Sequence, residues 1–320
     1  MTMKIIGTGS CLGDRLVTNQ DLAQIVETSD EWISSRTGIK GRRLTTGPGT
    51  SEMAAEAARR ACEDGGVRPE ELDLILLATS TPENHFPNGA CEVQAAIGAV
   101  NAAAFDISAA CTGFVFAMQT AYSFIAAGIF QKILVIGADD LSKITDWTDR
   151  KTCILFGDGA GAVVVEKGEG DTFGQIMGSD GSRGHVLTCK ARSGGNFLTG
   201  KGPEMGYIHM DGQEVFKFAV KKVPECVEQV LKKQQVQKED IRYYILHQAN
   251  ERIIDAVAKR LKEPMEKFPM DIQDHGNTSA ASIPILLDEL NRHGRLASGD
   301  KLIMAGFGGG LTWGALLMEW

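Results

Sequence analysis

The sequence has no Cys-x-x-Cys pair, no His-x-x-x-His or His-Glu-x-x-His spacing and no excess of positive charge. Each absence removes a class of function. The seven cysteines, at 11, 62, 91, 111, 153, 189 and 226, are odd in number and scattered, so neither a disulfide framework nor a zinc site is expected; they fit a reducing cytoplasm. Six histidines without ligand spacing argue against a structural metal. A net charge of −8 opposes broad nucleic-acid binding, which rests on phosphate neutralisation by Lys and Arg. The opening "MTMKIIGTGSCLG" has one lysine and too short an apolar patch for a signal peptide. "GDGAG" (157–161) is not a dinucleotide fingerprint, and the "AVVVE" after it is a strand pattern.

What is present describes a globular chain. The 320 residues are 43% hydrophobic and 23% charged, with 37 glycines, long enough to bury roughly three quarters of the unfolded surface. One segment imitates a membrane span: the whole run from Ile107 to Gln131 carries no charge. It holds Ser108, Thr112, Gln119, Thr120 and Ser123 and lies between strand patterns, so a buried central helix is expected instead.

Strand and helix signals alternate as an α/β protein requires. "LDLILLATST" (72–81), "KILVIGADD" (132–140), "GAGAVVVE" (159–166), "IRYYILHQ" (241–248) and "LIMAGFGGG" (302–310) read as strands, and "TSEMAAEAARRACEDGG" (50–66) as a helix. The halves look like copies. Leu72 aligns with Ile241 and Lys132 with Lys301 at the same offset, 169; a third pairing, Asp106 with Asp271, comes at 165. This divides the chain into 1–168 and 169–320. Ligands of α/β sheets gather at the carboxyl ends of strands, so four expected strand ends converge on one crevice: those carrying Cys111, His247, Asn277 and the Gly306–Gly310 loop.

Cys111, in "FDISAACTGF", sits where a strand turns into a helix, with small residues before it. A helix N-terminus favours the thiolate, although a cysteine among alanines is more simply core filler. His247 closes a strand and has a structural reading as well; His275 ranks below it. Asn277 has the look of a helix cap. "GFGGG" offers unobstructed backbone N–H groups suited to an oxyanion, or a plain turn. It is their common placement that favours chemistry.

The motifs "TSDEWISSRTGI" (28–39), "TPENHFPNGA" (81–90), "DISAACTGF" (106–114), "TDRKTCILFGDGAGA" (148–162), "MDGQEVFKFAV" (210–220), "HQANERII" (247–254), "DHGNTSAASIP" (274–284) and "GFGGGLTWG" (306–314) run from end to end. Together they make the chain similar to the β-ketoacyl-acyl-carrier-protein synthase III family, the initiating condensing enzymes of bacterial type II fatty-acid synthesis, in the thiolase-like superfamily. The resemblance implies a five-layered αβαβα fold and a homodimer without cofactor, taking acyl-CoA and malonyl-acyl-carrier protein as substrates. It implies Cys111 as the acylated nucleophile, His247 and Asn277 as its partners, and the Cys111 and Gly309 amides as the oxyanion hole. It further implies Trp32 and Arg150 around an adenine, Thr28 and Arg36 at the same entrance, and Gly212, Gln213, Phe216 and Ala249 along the pantetheine arm. Gln213 departs from the Asn common in the family. Phe86 resembles a residue that walls the partner's acyl pocket, with the segment around 185–209 also expected to shape that pocket. Arg252, with Lys217 and Lys259, resembles a docking surface for an acidic carrier. A thiolase is disfavoured because no cysteine follows Cys226, and an elongating synthase because Asn277 stands where a second histidine is needed. A synthase III of secondary metabolism and a non-catalytic partner subunit are the alternatives.

Overall fold

The computed structural model describes residues 2–170, 172–191, 198, 200 and 206–320. Two sheets organise them. Across the first, Thr2–Leu12, Gly159–Gly168, Lys132–Asp139, Leu74–Ala78 and Ala103–Ile107 lie in that order; across the second, Ile241–Leu246, Lys301–Gly308, Thr312–Glu319 and Phe173–Ser179. Lys132–Asp139 is parallel to Leu74–Ala78 and antiparallel to Gly159–Gly168, and the second sheet repeats this pattern.

Alternation along the strands builds the layers. Leu74, Leu76 and Ala78 face inward to a core shared by both sheets; Phe114, Met118 and Ala121 of the helix Gly113–Ala126 fill it together with Ile283, Leu287 and Leu290 of the helix Ser282–Arg292. Ile75 and Leu77 face outward against Ala54, Ala57, Ala58 and Ala61 of the helix Thr50–Asp64. On the far side Tyr244, Leu246 and Ile303 pack under Val223, Val227 and Val230 of Gly212–Gln234 and Ile254, Val257 and Leu261 of Glu251–Leu261. The result is the five-layered αβαβα arrangement. The uncharged run is its central post: Gly113–Ala126 is one 14-residue helix with Phe114, Ala117, Met118 and Ala121 fully buried. Among the described residues, no helix is long and apolar enough to cross a membrane.

The repeat is written in the register. Leu74 pairs with Ile133, and at the common offset Tyr243 pairs with Leu302. The short 3₁₀ turn Ala110–Thr112 feeding the first central helix is matched, at that same offset, by Ser279–Ala281 feeding the second. This corrects the third sequence pairing: the structural counterpart of Cys111 is Ala280, and not a position counted from Asp271. No described strand leads directly into the Asn277 turn either. Asp271 has turned to ψ 0°, and a one-turn helix Ile272–His275 takes the place of the expected strand.

Candidate active site

One cavity of about 1690 Å³ opens between the halves and is lined by Cys111, His247 and Asn277 together with Ser279, Phe307 and Gly308. Cys111 lies in the turn Ala110–Thr112, one step before the central helix. Thr112 anchors the turn with a hydroxyl that meets Thr312 Oγ1 at 2.7 Å across the two halves. Gly308 passes so close that a β-carbon there would stand 2.8 Å from the Cys111 nitrogen, so only glycine fits without displacing backbone.

His247 follows the strand Ile241–Leu246, and its N–H extends the ladder to Ala305 O at 2.9 Å. Its ring packs edge-on against Phe307, and Nδ1 lies 2.8 Å from Ser282 Oγ. Burial drives its pKa down to about 3, so the imidazole is neutral at physiological pH. Asn277 is held by its own backbone: its N–H donates to Leu155 O at 2.8 Å and its carbonyl accepts from Gly157 N at 3.0 Å. Ser279 N donates to Asn277 Oδ1 at 2.9 Å. That donor fixes the amide flip and leaves Nδ2 as the free end of the amide among the described residues. No hydrogen bond from His247 Nε2 or Asn277 Nδ2 to protein exists among the described residues.

Burial pushes the Cys111 thiol up to about 11; a hydrogen bond from Ser279 opposes this, and the buried Asp139 carboxylate reinforces it. The thiolate suggested by the helix terminus is therefore not the resting state: desolvation outweighs the dipole, which is worth about 0.3–1 kcal/mol and at most about 2. Ser279 Oγ lies 3.4 Å from Cys111 Sγ. Asp139 is fully buried, takes hydrogen bonds from Ser80 N (2.7 Å), Thr81 Oγ1 (3.0 Å) and Ala280 N (3.3 Å), and is held above the usual carboxylate range by burial.

The remaining expected residues divide. Arg36, Gly212, Phe216, Ala249 and Gly309 line the cavity; Thr28, Trp32, Arg150, Gln213 and Phe86 do not. Trp32 nonetheless carries the Arg36 guanidinium 4.5 Å and the Arg150 guanidinium 4.7 Å from its ring centroid, so the three form one cluster reaching the rim through Arg36. Asn250 caps the helix Glu251–Leu261 and donates to Arg36 O at 3.1 Å, tying the His247 loop to that rim. Thr28 Oγ1 is buried without a hydrogen-bond partner among the described residues. Gln213 is exposed in the first turn of its helix, where its N–H is capped by Asp211. Phe86 is 88% exposed. Arg252 is exposed and has no carboxylate partner among the described residues, whereas Lys217 is paired with Glu214 at 2.9 Å and Lys259 with Asp255 at 2.6 Å. Of the segment around 185–209, Leu187, Cys189 and Ile208 line the cavity, while 192–197, 199 and 201–205 lie outside the described residues. His275 is turned away from the cavity, with Nε2 2.6 Å from Glu289 Oε1.

Ser279 and Ser282 were not singled out from the sequence, and Gly308 only as part of the Gly306–Gly310 loop. The first two stand inside "GNTSAAS", and a repeat aligned at the single offset would have placed Ser279 opposite Ala110, beside Cys111.

Residues 105–181 match the family model described as 3-oxoacyl-[acyl-carrier-protein] synthase III, and residues 231–320 match the model of its C-terminal part. The beta-ketoacyl-[acyl-carrier-protein] synthase III of Clostridium acetobutylicum is 50% identical over 321 residues, covering 100% of this chain and 99% of its own. That of Synechococcus is 49% identical, covering 99% of this chain and 95% of its own. The crystal structure of 3-oxoacyl-[acyl-carrier-protein] synthase III from Aquifex aeolicus superposes with a TM-score of 0.93 at 48% identity, over the whole of both chains. With its thiolase-like layers and the Cys111, His247 and Asn277 cavity between its halves, this chain belongs to the 3-oxoacyl-[acyl-carrier-protein] synthase III family of condensing acyltransferases.

Proposed function

We propose that the protein initiates type II fatty-acid synthesis, condensing a short acyl-CoA, acetyl-CoA first among them, with malonyl-acyl-carrier protein to give a 3-oxoacyl-carrier protein. One observation carries this reading: His247, kept neutral by burial, and Asn277, with its Oδ1 engaged by Ser279 N, line the same cavity as Cys111.

Cys111 gives up its proton and attacks the acyl-CoA thioester, forming an acyl-cysteine and releasing CoA as a thiol. The Cys111 and Gly309 amides receive the tetrahedral oxyanion. The malonyl thioester enters next and loses CO₂, and the electron pair left behind becomes an enolate. His247 Nε2 and Asn277 Nδ2 donate to its oxygen in a site shielded from water. The enolate carbon then attacks the acyl-cysteine, and the Cys111 thiolate leaves.

Trp32, Arg36 and Arg150 hold the nucleotide end of CoA, and the buried, unpartnered Thr28 hydroxyl supports a ligand contact at that entrance. Gly212, Gln213, Phe216 and Ala249 follow the pantetheine arm. Arg252 receives the acidic carrier, with Lys217 and Lys259 secondary. The working form is a homodimer, in which the exposed Phe86 closes the partner's acyl pocket, and it acts in the cytoplasm, a setting supported by seven free cysteines.

A second reading has a specific support: the priming β-ketosynthase of the R1128 polyketide pathway is 34% identical, with a TM-score of 0.93. The two differ in primer. Incubation with competing acyl-CoAs, followed by mass measurement of the Cys111 peptide, tests both. An acetyl adduct and a 3-oxoacyl carrier product are expected, and an unmodified Cys111 after full turnover would refute the nucleophile.

A further inference from the structure

The donor role of His247 requires its single ring proton to sit on Nε2, and the residue that decides this lies on another element. We propose that Ser282, the first residue of the second central helix, is a positioning residue that donates its hydroxyl proton to His247 Nδ1 and thereby holds the imidazole as the Nε2–H tautomer. The inference rests on the reading of His247 as an enolate donor, and adds the group that makes it one.

The argument is an accounting of protons. A hydroxyl has one proton and two acceptor positions, and a neutral imidazole has one donor nitrogen and one acceptor. Gln248 N–H points at Ser282 Oγ from 3.3 Å and can only donate, which occupies one acceptor position. His247 Nδ1 lies 2.8 Å from the same oxygen. Among the described residues Ser282 Oγ has no third partner, and at 1% exposure it is closed to water. With the proton on Nδ1, the ring would donate into Ser282 and the Ser282 proton would be left buried with nowhere to go. With Ser282 donating to Nδ1, every group is satisfied and the ring proton falls on Nε2.

Burial keeps the ring neutral, so the second proton that would erase the distinction is absent at physiological pH. The geometry is also rigid. His247 N is locked to Ala305 O at 2.9 Å, Phe307 stacks edge-on at 5.5 Å between centroids, and Ser282 opens a helix whose Ile283, Leu286 and Leu287 are buried in the shared core. The histidine follows one strand and its tautomer is set from a helix well beyond it in the chain, so the hydrogen bond is set by packing and not by local sequence.

The test is the ¹⁵N spectrum of the wild-type chain with labelled histidine, His247 being assigned by the signal lost in His247→Gln. A pyridine-like Nδ1 and a protonated, pyrrole-like Nε2 are expected; a proton on Nδ1 would overturn the proposal. In Ser282→Ala, malonyl decarboxylation should fall ~10- to 100-fold, the loss seen when a group that orients a metal-bound imidazole is removed, while acylation of Cys111 by acyl-CoA is retained. Ser282→Thr, which returns the hydroxyl, should recover decarboxylation. A folded Ser282→Ala chain that decarboxylates at the wild-type rate would also overturn it, and if that variant does not fold the wild-type spectrum decides alone. Failure of the underlying reading is distinct: His247→Ala would then decarboxylate normally, whatever the tautomer.

Discussion

Ala110 and Ser279 occupy the same place in the two halves of the fold. Both adopt a left-handed backbone without being glycine (φ 47° and 54°), and each opens the 3₁₀ turn that enters a buried central helix. Such a conformation costs a non-glycine residue about 1–3 kcal/mol and persists only where its surroundings impose it. The duplication therefore sets two strained corners face to face. One presents Cys111; the other presents Ser279, with its hydroxyl 3.4 Å from Cys111 Sγ and its N–H on Asn277 Oδ1.

That double contact makes Ser279 separable by atom. Ser279→Ala deletes the hydroxyl, which lowers the Cys111 pKa, but keeps the N–H that orients Asn277. Acylation of Cys111 should slow by ~3- to 10-fold, in line with one hydrogen bond of about 0.5–1.5 kcal/mol, while malonyl decarboxylation is unchanged. Separate measurement of the two half-reactions checks this, and equal losses would mean the hydroxyl acts through Asn277.

Gly308→Ala should be severe. The new methyl carbon would stand 2.8 Å from Cys111 N and 3.2 Å from Thr112 N, both backbone atoms that cannot swing aside. Overpacking of this kind costs about 1–3 kcal/mol, and the displaced turn carries Cys111, the proposed nucleophile. A lower melting temperature together with loss of acyl-Cys111 formation is expected; retention of both would contradict the close approach.

The pH dependence has a definite sign. The folded pKa of His247, about 3, lies below the ~6.5 of an unfolded histidine. Its contribution to stability is thus fully present above ~6.5 and is lost as pH falls from there toward 3, because the unfolded chain binds the proton first. Decarboxylation should show no inflection near pH 6.5, since no imidazolium forms in the folded site. Alkylation of Cys111 should instead climb through the alkaline range toward its raised value of about 11. Initial-rate profiles of each reaction test the two statements independently.

Carrier docking should depend on one arginine more than on the lysines near it. Lys217 and Lys259 already have carboxylate partners and Arg252 has none among the described residues, so its charge is the least compensated of the three. Arg252→Glu should raise KM for the malonyl carrier ~10-fold or more at low salt, with little change for acyl-CoA, as expected when a steering charge is reversed. Lys217→Glu and Lys259→Glu should have smaller effects. A uniform rise for both substrates would place Arg252 at the CoA entrance instead.

Much of the fold was legible because it is periodic. Strands buried on both faces read as unbroken apolar runs, such as "LILLA" at 74–78, and one offset recurs wherever the two sheets repeat. The uncharged run from Ile107 read correctly as a buried helix because its hydroxyls and flanking strands suit a soluble core better than a bilayer. Failure came where one local feature overrides a pattern. Asp271 resembles Asp106 in sequence, yet the residues after it close a one-turn helix, Ile272–His275, and among the described residues the second sheet has no matching strand.

The sequence by itself determined the α/β alternation, the duplication and the motifs of the synthase III family, and it brought forward Cys111, His247 and Asn277 as candidates. Only the tertiary structure decided the states in which they rest: a thiol and not a thiolate at Cys111, a neutral imidazole at His247, and an amide at Asn277 turned by Ser279. Protonation, tautomer and amide orientation depend on desolvation and on single hydrogen bonds from residues such as Ser282, 35 positions from the histidine, and Ser279, 168 positions from the cysteine. A pattern of residue types records which side chains are available, and packing alone sets their distances and the water around them.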